Sequence, residues 1–184
     1  MTRCLLLVDI QNDYFAGGSM ELVGMESAAE RARELLLAFR QRQEHIFHVQ
    51  HLSVRPGATF FVPGTDGVEI NETVDPIDGE AVIQKNFPNS FRETELLAQL
   101  QQAGVEDVTI CGAMSHMCID ATTRAAFDLG FGCTVIEDAC ATRDLMHKGE
   151  TVRASDVHAS FMAALAMPYA RVVSASEFDN AMGG

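Results

Sequence analysis

A chain of 184 residues suits one domain, 1–184, long enough to bury most of the surface its unfolded form would expose. Its 47% hydrophobic and 21% charged residues are ordinary for a soluble globular enzyme. A formal net charge of −13 argues against nucleic-acid or anionic-membrane partners, which need clustered Lys and Arg.

The five cysteines, at 4, 111, 118, 133 and 140, are odd in number and lack a C-x-x-C pair, so free thiols in a reducing compartment are expected. The N-terminus reaches Asp9 too soon for a signal-peptide core, and no apolar run approaches the length of a membrane span. A cytoplasmic location is the corresponding expectation.

In chain order, Cys4 to Val8 is a continuous apolar run, the signature of a strand buried on both faces. Met25 to Gln43 places Ala28, Ala32, Leu35, Leu36 and Phe39 at helical spacing, and His45 to Val49 returns to strand character. A loop runs to about Ile77. A strand then ends in Lys85, followed by a helix from Thr94 to Ala103 and a strand from Val108 to Cys111. A helix beginning near Cys118 runs to about Leu129, Gly132 to Ile136 is a strand, Gly149 to Leu165 a helix, and Arg171 to Val173 a last short strand. Six strands alternating with helices predict an α/β three-layer sandwich, a six-stranded parallel sheet flanked by helices in a Rossmann-like arrangement.

Three residues fall at the carboxyl ends of predicted strands, where open α/β sheets bind ligands. Asp9 closes the first, Lys85 ends the third, and Cys118 follows the fourth at the start of a helix. Unpaired N–H groups at a helix N-terminus favour a thiolate and can hold an oxyanion, so Cys118 is a candidate nucleophile with a lowered pKa. Singly, each position has an ordinary reading: a buried thiol, a turn-forming Asp, a solvated Lys. Their joint placement on one sheet edge favours a site.

The segments Leu7 to Phe15, Pro63 to Ile70, Lys85 and Gly112 to Thr123 resemble the isochorismatase-like cysteine hydrolases, a superfamily that includes nicotinamidases and N-carbamoylsarcosine amidases. The resemblance covers nearly the whole chain. It implies a catalytic triad of Asp9, Lys85 and Cys118, a cis peptide joining Ala113 to Met114, and an oxyanion hole formed by the Met114 and Cys118 amides. It also implies a homodimer or homotetramer.

The chemistry expected is acyl transfer to water. Asp9 takes the thiol proton, Lys85 stabilises thiolate and carboxylate as an ammonium, and Cys118 attacks the carbonyl of a small amide or ureido substrate to form a thioester. Relatives that cleave the vinyl ether of isochorismate generally lack the cysteine, so its presence here favours an amide, ureido or similar carbonyl substrate, with vinyl ether hydrolysis as the alternative. Nicotinamidases carry a metal site beginning Asp-x-His after the second strand, where this chain reads His51-Leu52-Ser53. No metal or cofactor is therefore expected, and strand alternation sends His48 away from His45 and His51.

Gln11, Phe15, His51 and His116 are candidate pocket residues, and Phe60, Phe61, Phe87 and Phe91 could form an apolar lid or bury a subunit interface. Two further classes stay open: a reactive-thiol redox or ligand-binding protein that uses Cys118 without hydrolysis, and a Rossmann-type nucleotide binder. The latter is disfavoured because the turn after the first strand lacks G-x-G-x-x-G.

Overall fold

In the first strand, β1 (Arg3–Val8), Leu5 and Leu7 point to one face of the sheet while Cys4, Leu6 and Val8 point to the other, and all five are buried. Such two-sided burial requires helices on both faces. The computed structural model describes residues 2–182; residues 1, 183 and 184 of the expected 1–184 domain lie outside the described residues.

The remaining sheet strands are β2 (His45–His51), β3 (Ala81–Lys85), β4 (Asp107–Ala113), β5 (Gly132–Ala141) and, after a hairpin, β8 (Arg171–Val173). They are ordered β3-β2-β1-β4-β5-β8 with every pairing parallel, which is the predicted six-stranded sheet. Chain order runs outward from β1 in one direction and from β4 in the other. The seam between β1 and β4 is therefore the switch point where α/β sheets open a crevice.

Helix α1 (Met25–Arg42) lays Ala28, Ala32, Leu35, Leu36 and Phe39 against the face carrying Leu5 and Leu7. The opposite face is packed by α2 (Leu96–Gln102), with Leu96 and Leu100, and by α4 (Ala154–Leu165), with Met162 and Leu165. Close approach of β1 and β4 depends on Gly112: a Cβ there would run into the Val8 carbonyl, and its φ of +120° is one few side chains adopt. The β4–β5 register shifts at this point.

Three elements depart from the sequence reading. The helix expected from Gly149 begins at Ala154, because Leu145–His147 (β6) and Glu150–Val152 (β7) pair antiparallel around Lys148 and Gly149, both at positive φ. That is the twist a tight hairpin needs, supplied by Lys-Gly instead of the stronger Asn-Gly signal. Asp144 Oδ1 then accepts the Ala154 N–H and starts α4. The strand expected to end at Ile136 continues to Ala141, and a final helix, α5 (Ala175–Met182), packs Ala175 and Phe178 on the α1 face.

Candidate active site

Asp9 leaves the end of β1 with φ 53° and its N–H donating to the Val49 carbonyl, which turns its carboxylate across the sheet edge. Lys85 ends β3, two strands away, and His51 ends β2 between them, directly opposite Lys85 in register. From β4, a cis Ala113–Met114 peptide leads into one π turn, Ser115–Ile119, that continues as α3 (Asp120–Asp128). The nucleophile candidate Cys118 thus sits inside the π turn and not at the first residue of an α-helix.

The side chains meet at the Lys85 ammonium. Nζ donates to Asp9 Oδ2 at 2.7 Å, to His51 Nδ1 at 3.0 Å and to Cys118 Sγ at 3.3 Å. Asp9, Lys85 and Cys118 are 0%, 2% and 5% exposed. An ammonium has three hydrogens, and here each has an acceptor. The second Asp9 oxygen, Oδ1, is buried without a partner. The cluster therefore contains one unsatisfied acceptor, on the carboxylate beside the thiol.

Charge follows from this geometry. Burial works against the ammonium, but Asp9 and Cys118 outweigh it and hold the Lys85 pKa above its ordinary value. Burial pushes the Cys118 thiol up, the Asp9 carboxylate adds to that, and Lys85 opposes both without reversing them. The lowered thiol expected from a helix N-terminus is therefore replaced by a thiol that keeps its proton at rest, because desolvation exceeds the help from the turn. His51 is lowered to about 4 by burial and by Lys85, so it is a neutral imidazole.

Among the described residues, Asp9, His51 and Cys118 form the group of His, Cys and acidic side chains close enough to share an ion. A metal does not fit them, since the cation those three atoms surround is the Lys85 ammonium itself. The three histidines of β2 do not combine either. His45 is exposed, and His48 is buried against Glu80, at 2.8 Å, which Arg40 also holds.

The expected pocket residues separate into different roles. The Gln11 amide is occupied by backbone: Oε1 accepts the His51 N–H, while Nε2 donates to the His51 and Val68 carbonyls. It binds the end of β2 to the long loop and is wholly buried. His116 has Nδ1 at 2.6 Å from Thr142 Oγ1 and its ring against Phe161. Phe15 is partly buried against the α1-side core.

The four phenylalanines do not gather into one lid: Phe60, partly buried, packs on Tyr14 and Phe61. Phe61 is fully buried on Tyr14 and beside His51, Phe87 lies under the Arg92 guanidinium, and Phe91 stacks on Phe131.

Supporting residues escaped the sequence reading because their partners are distant in the chain. Asp13 accepts the N–H groups of Ser19 and Phe61, fixing the long loop beside His51. Ser90 and Thr122 share buried hydroxyl contacts at 2.8 Å, tying the segment after Lys85 to α3 one turn beyond Cys118. Ser115 Oγ sits 2.8 Å from His158 Nδ1 and anchors the π turn to α4.

The isochorismatase domain model matches residues 3–175. The chain belongs to the isochorismatase family. It is 50% identical to YddQ, an isochorismatase family protein of Bacillus subtilis, over 97% of this chain and 99% of that one. It is 35% identical to a streptothricin hydrolase of Streptomyces noursei over 78% of this chain and 51% of the relative. A solved structure from Oleispira antarctica, assigned to the isochorismatase hydrolases, superposes with TM-score 0.93 at 50% identity, covering 96% of this chain and 95% of that one. Family membership makes the chain an isochorismatase-type hydrolase; the reaction is the remaining matter.

Proposed function

We propose that this protein is a cysteine-dependent hydrolase of a small amide, ureido or related carbonyl compound, with Asp9, Lys85 and Cys118 as its catalytic residues. The single observation that carries the reading is the Lys85 ammonium bound to both the carboxylate and the sulfur, with Asp9 Oδ1 left open to take a proton.

Because Cys118 rests as a thiol, attack and proton transfer are coupled. Sγ bonds to the substrate carbonyl carbon while its proton passes to Asp9. The Met114 and Cys118 amides face the resulting oxyanion. Collapse breaks the C–N bond, Asp9 returns the proton to the departing amine, and a thioester remains. Water, losing a proton to Asp9, then adds to the thioester; the C–S bond breaks and the thiol is restored. Throughout, Lys85 offsets negative charge as it moves between oxygen and sulfur, which a buried site needs because water does not screen it. No step is routed through a metal. A homodimer or homotetramer is part of the proposal, as is a cytoplasmic location.

The test is ammonia release from a panel of small amides and ureido acids by wild-type protein, Cys118→Ala protein and chelator-treated protein. Turnover that survives chelation and falls by about 10⁴-fold or more in Cys118→Ala is the expected outcome. Turnover retained in Cys118→Ala overturns the proposal. So does the absence of turnover on every compound while Cys118 still alkylates rapidly at neutral pH, which points to a reactive-thiol role.

A further inference from the structure

With three acceptors around Nζ, Lys85 has no hydrogen left for a substrate. The neighbouring donor is His51. Because the ammonium donates to Nδ1, that nitrogen must carry the lone pair, and the proton of the neutral ring belongs on Nε2. Nε2 has no partner among the described residues, and it is absent from the buried unpartnered atoms, which are Asp9 Oδ1, Glu44 Oε2, His48 Nδ1 and Thr123 Oγ1. It therefore reaches solvent, on a ring that has a nitrogen within 4.8 Å of Cys118 Sγ.

The ring cannot easily turn over. Its backbone is fixed on both sides by Gln11, its face lies beside buried Phe61, and a flip would set the Cδ2–H against the ammonium and leave it one acceptor short.

We propose that His51 is a substrate-binding residue whose Nε2–H donates to an oxygen acceptor, carbonyl or carboxylate, next to the carbonyl that Cys118 attacks. This rests on the cysteine-hydrolase reading above. It narrows the substrate to compounds carrying a second oxygen acceptor beside the scissile carbonyl, as a ureido acid or an α-substituted amide does. The charged and titratable groups acting on His51 are Lys85, Asp9, Cys118 and Arg55.

Two measurements test it. Histidine-selective ¹⁵N NMR, with the His51 ring assigned by its loss in His51→Gln protein and so told apart from the buried His48 ring on Glu80, is expected to show His51 with unprotonated Nδ1 and protonated Nε2, unchanged from pH 8 to about pH 5.5. If the assigned His51 ring titrates near 6.5, or is the Nδ1–H form, the proposal is overturned.

The second compares alkylation of Cys118 by iodoacetate and by iodoacetamide, with the adduct located by peptide mass spectrometry. His51→Phe is expected to lower the iodoacetate-to-iodoacetamide rate ratio about tenfold, and His51→Gln, which restores an acceptor for Lys85 and a donor for the ligand, to return it to within about threefold of wild type. An unchanged or raised ratio in His51→Phe overturns the proposal, and the NMR result decides it if that variant does not fold. Asp9→Asn and Lys85→Met serve as the separate control. If neither alters the pH profile of iodoacetamide alkylation, the hydrolase reading fails, whatever the ratio does.

Discussion

The Asp9–Lys85 pair is held entirely out of water, so breaking it leaves a buried charge without its counterion. Lys85→Met is expected to destabilise the fold by about 3 kcal/mol or more in urea denaturation, and the double variant Asp9→Asn/Lys85→Met by clearly less than the sum of the single changes. Additive effects would mean the two groups do not depend on each other.

His51 has a pH consequence of definite sign. Its folded-state pKa is depressed to about 4 from an ordinary 6.5, so between those values the unfolded chain binds a proton that the folded chain does not. Stability is unaffected above that window and falls as the pH drops through it, by about 2 kcal/mol after allowing for the ring's partial exposure. Glu80, for which Arg40 and His48 overcome burial to hold the carboxyl at about 2, adds stability that is complete above 4.5 and lost towards pH 2. A urea midpoint that stays level from pH 7 to pH 4 would contradict the neutral imidazole.

At the scale of elements, the positions of β3 and α3 depend on two hydroxyls. Removing one of the Ser90–Thr122 pair leaves the other buried and unsatisfied, so Ser90→Ala and Thr122→Val should each cost about 1–3 kcal/mol, and the double variant less than their sum. Thermal denaturation of the four proteins measures this.

Gly112→Ala should be more damaging, about 3 kcal/mol or more, since its Cβ would strike the backbone of β1 with no side chain able to move aside. A soluble variant with an unchanged melting temperature would show that the strands can separate there. The central strands β1, β2 and β4 were legible from apolar runs, because two-sided burial leaves no polar alternation to confuse. Hidden from sequence were the π turn, whose residues read as an ordinary helix start, and the hairpin, whose Lys148-Gly149 turn is a weak signal.

For the molecule as a whole, thiol accessibility follows the layers of the fold. Cys4, Cys111 and Cys140 are buried in the strands, burial raises each of them, and Cys133 is only partly buried, at about 11. Native-state labelling with iodoacetamide should reach the partly buried Cys133 ahead of Cys4, Cys111 and Cys140, while all five react after denaturation. Among the described residues no helix is long and apolar enough to cross a membrane.

The positions of Asp9, Lys85 and Cys118 were legible because strand ends on one sheet edge converge. The thiol's raised pKa was not, since desolvation depends on what the rest of the chain stacks above it. Gln11 likewise looks like a substrate reader in sequence, and only the folded loop shows its amide occupied by backbone.

The strand order has a kinetic consequence. Asp9 and Lys85 lie 76 positions apart in sequence, and β1 is flanked by strands that begin at His45 and Asp107. Every pairing that builds the site is non-local, so none of it can be assembled by an early hairpin or a single helix. Reactivity of Cys118 that depends on Lys85 should therefore recover only with the slowest phase of refolding, after most helical signal has returned, which makes that thiol an internal reporter of the final closure of the sheet.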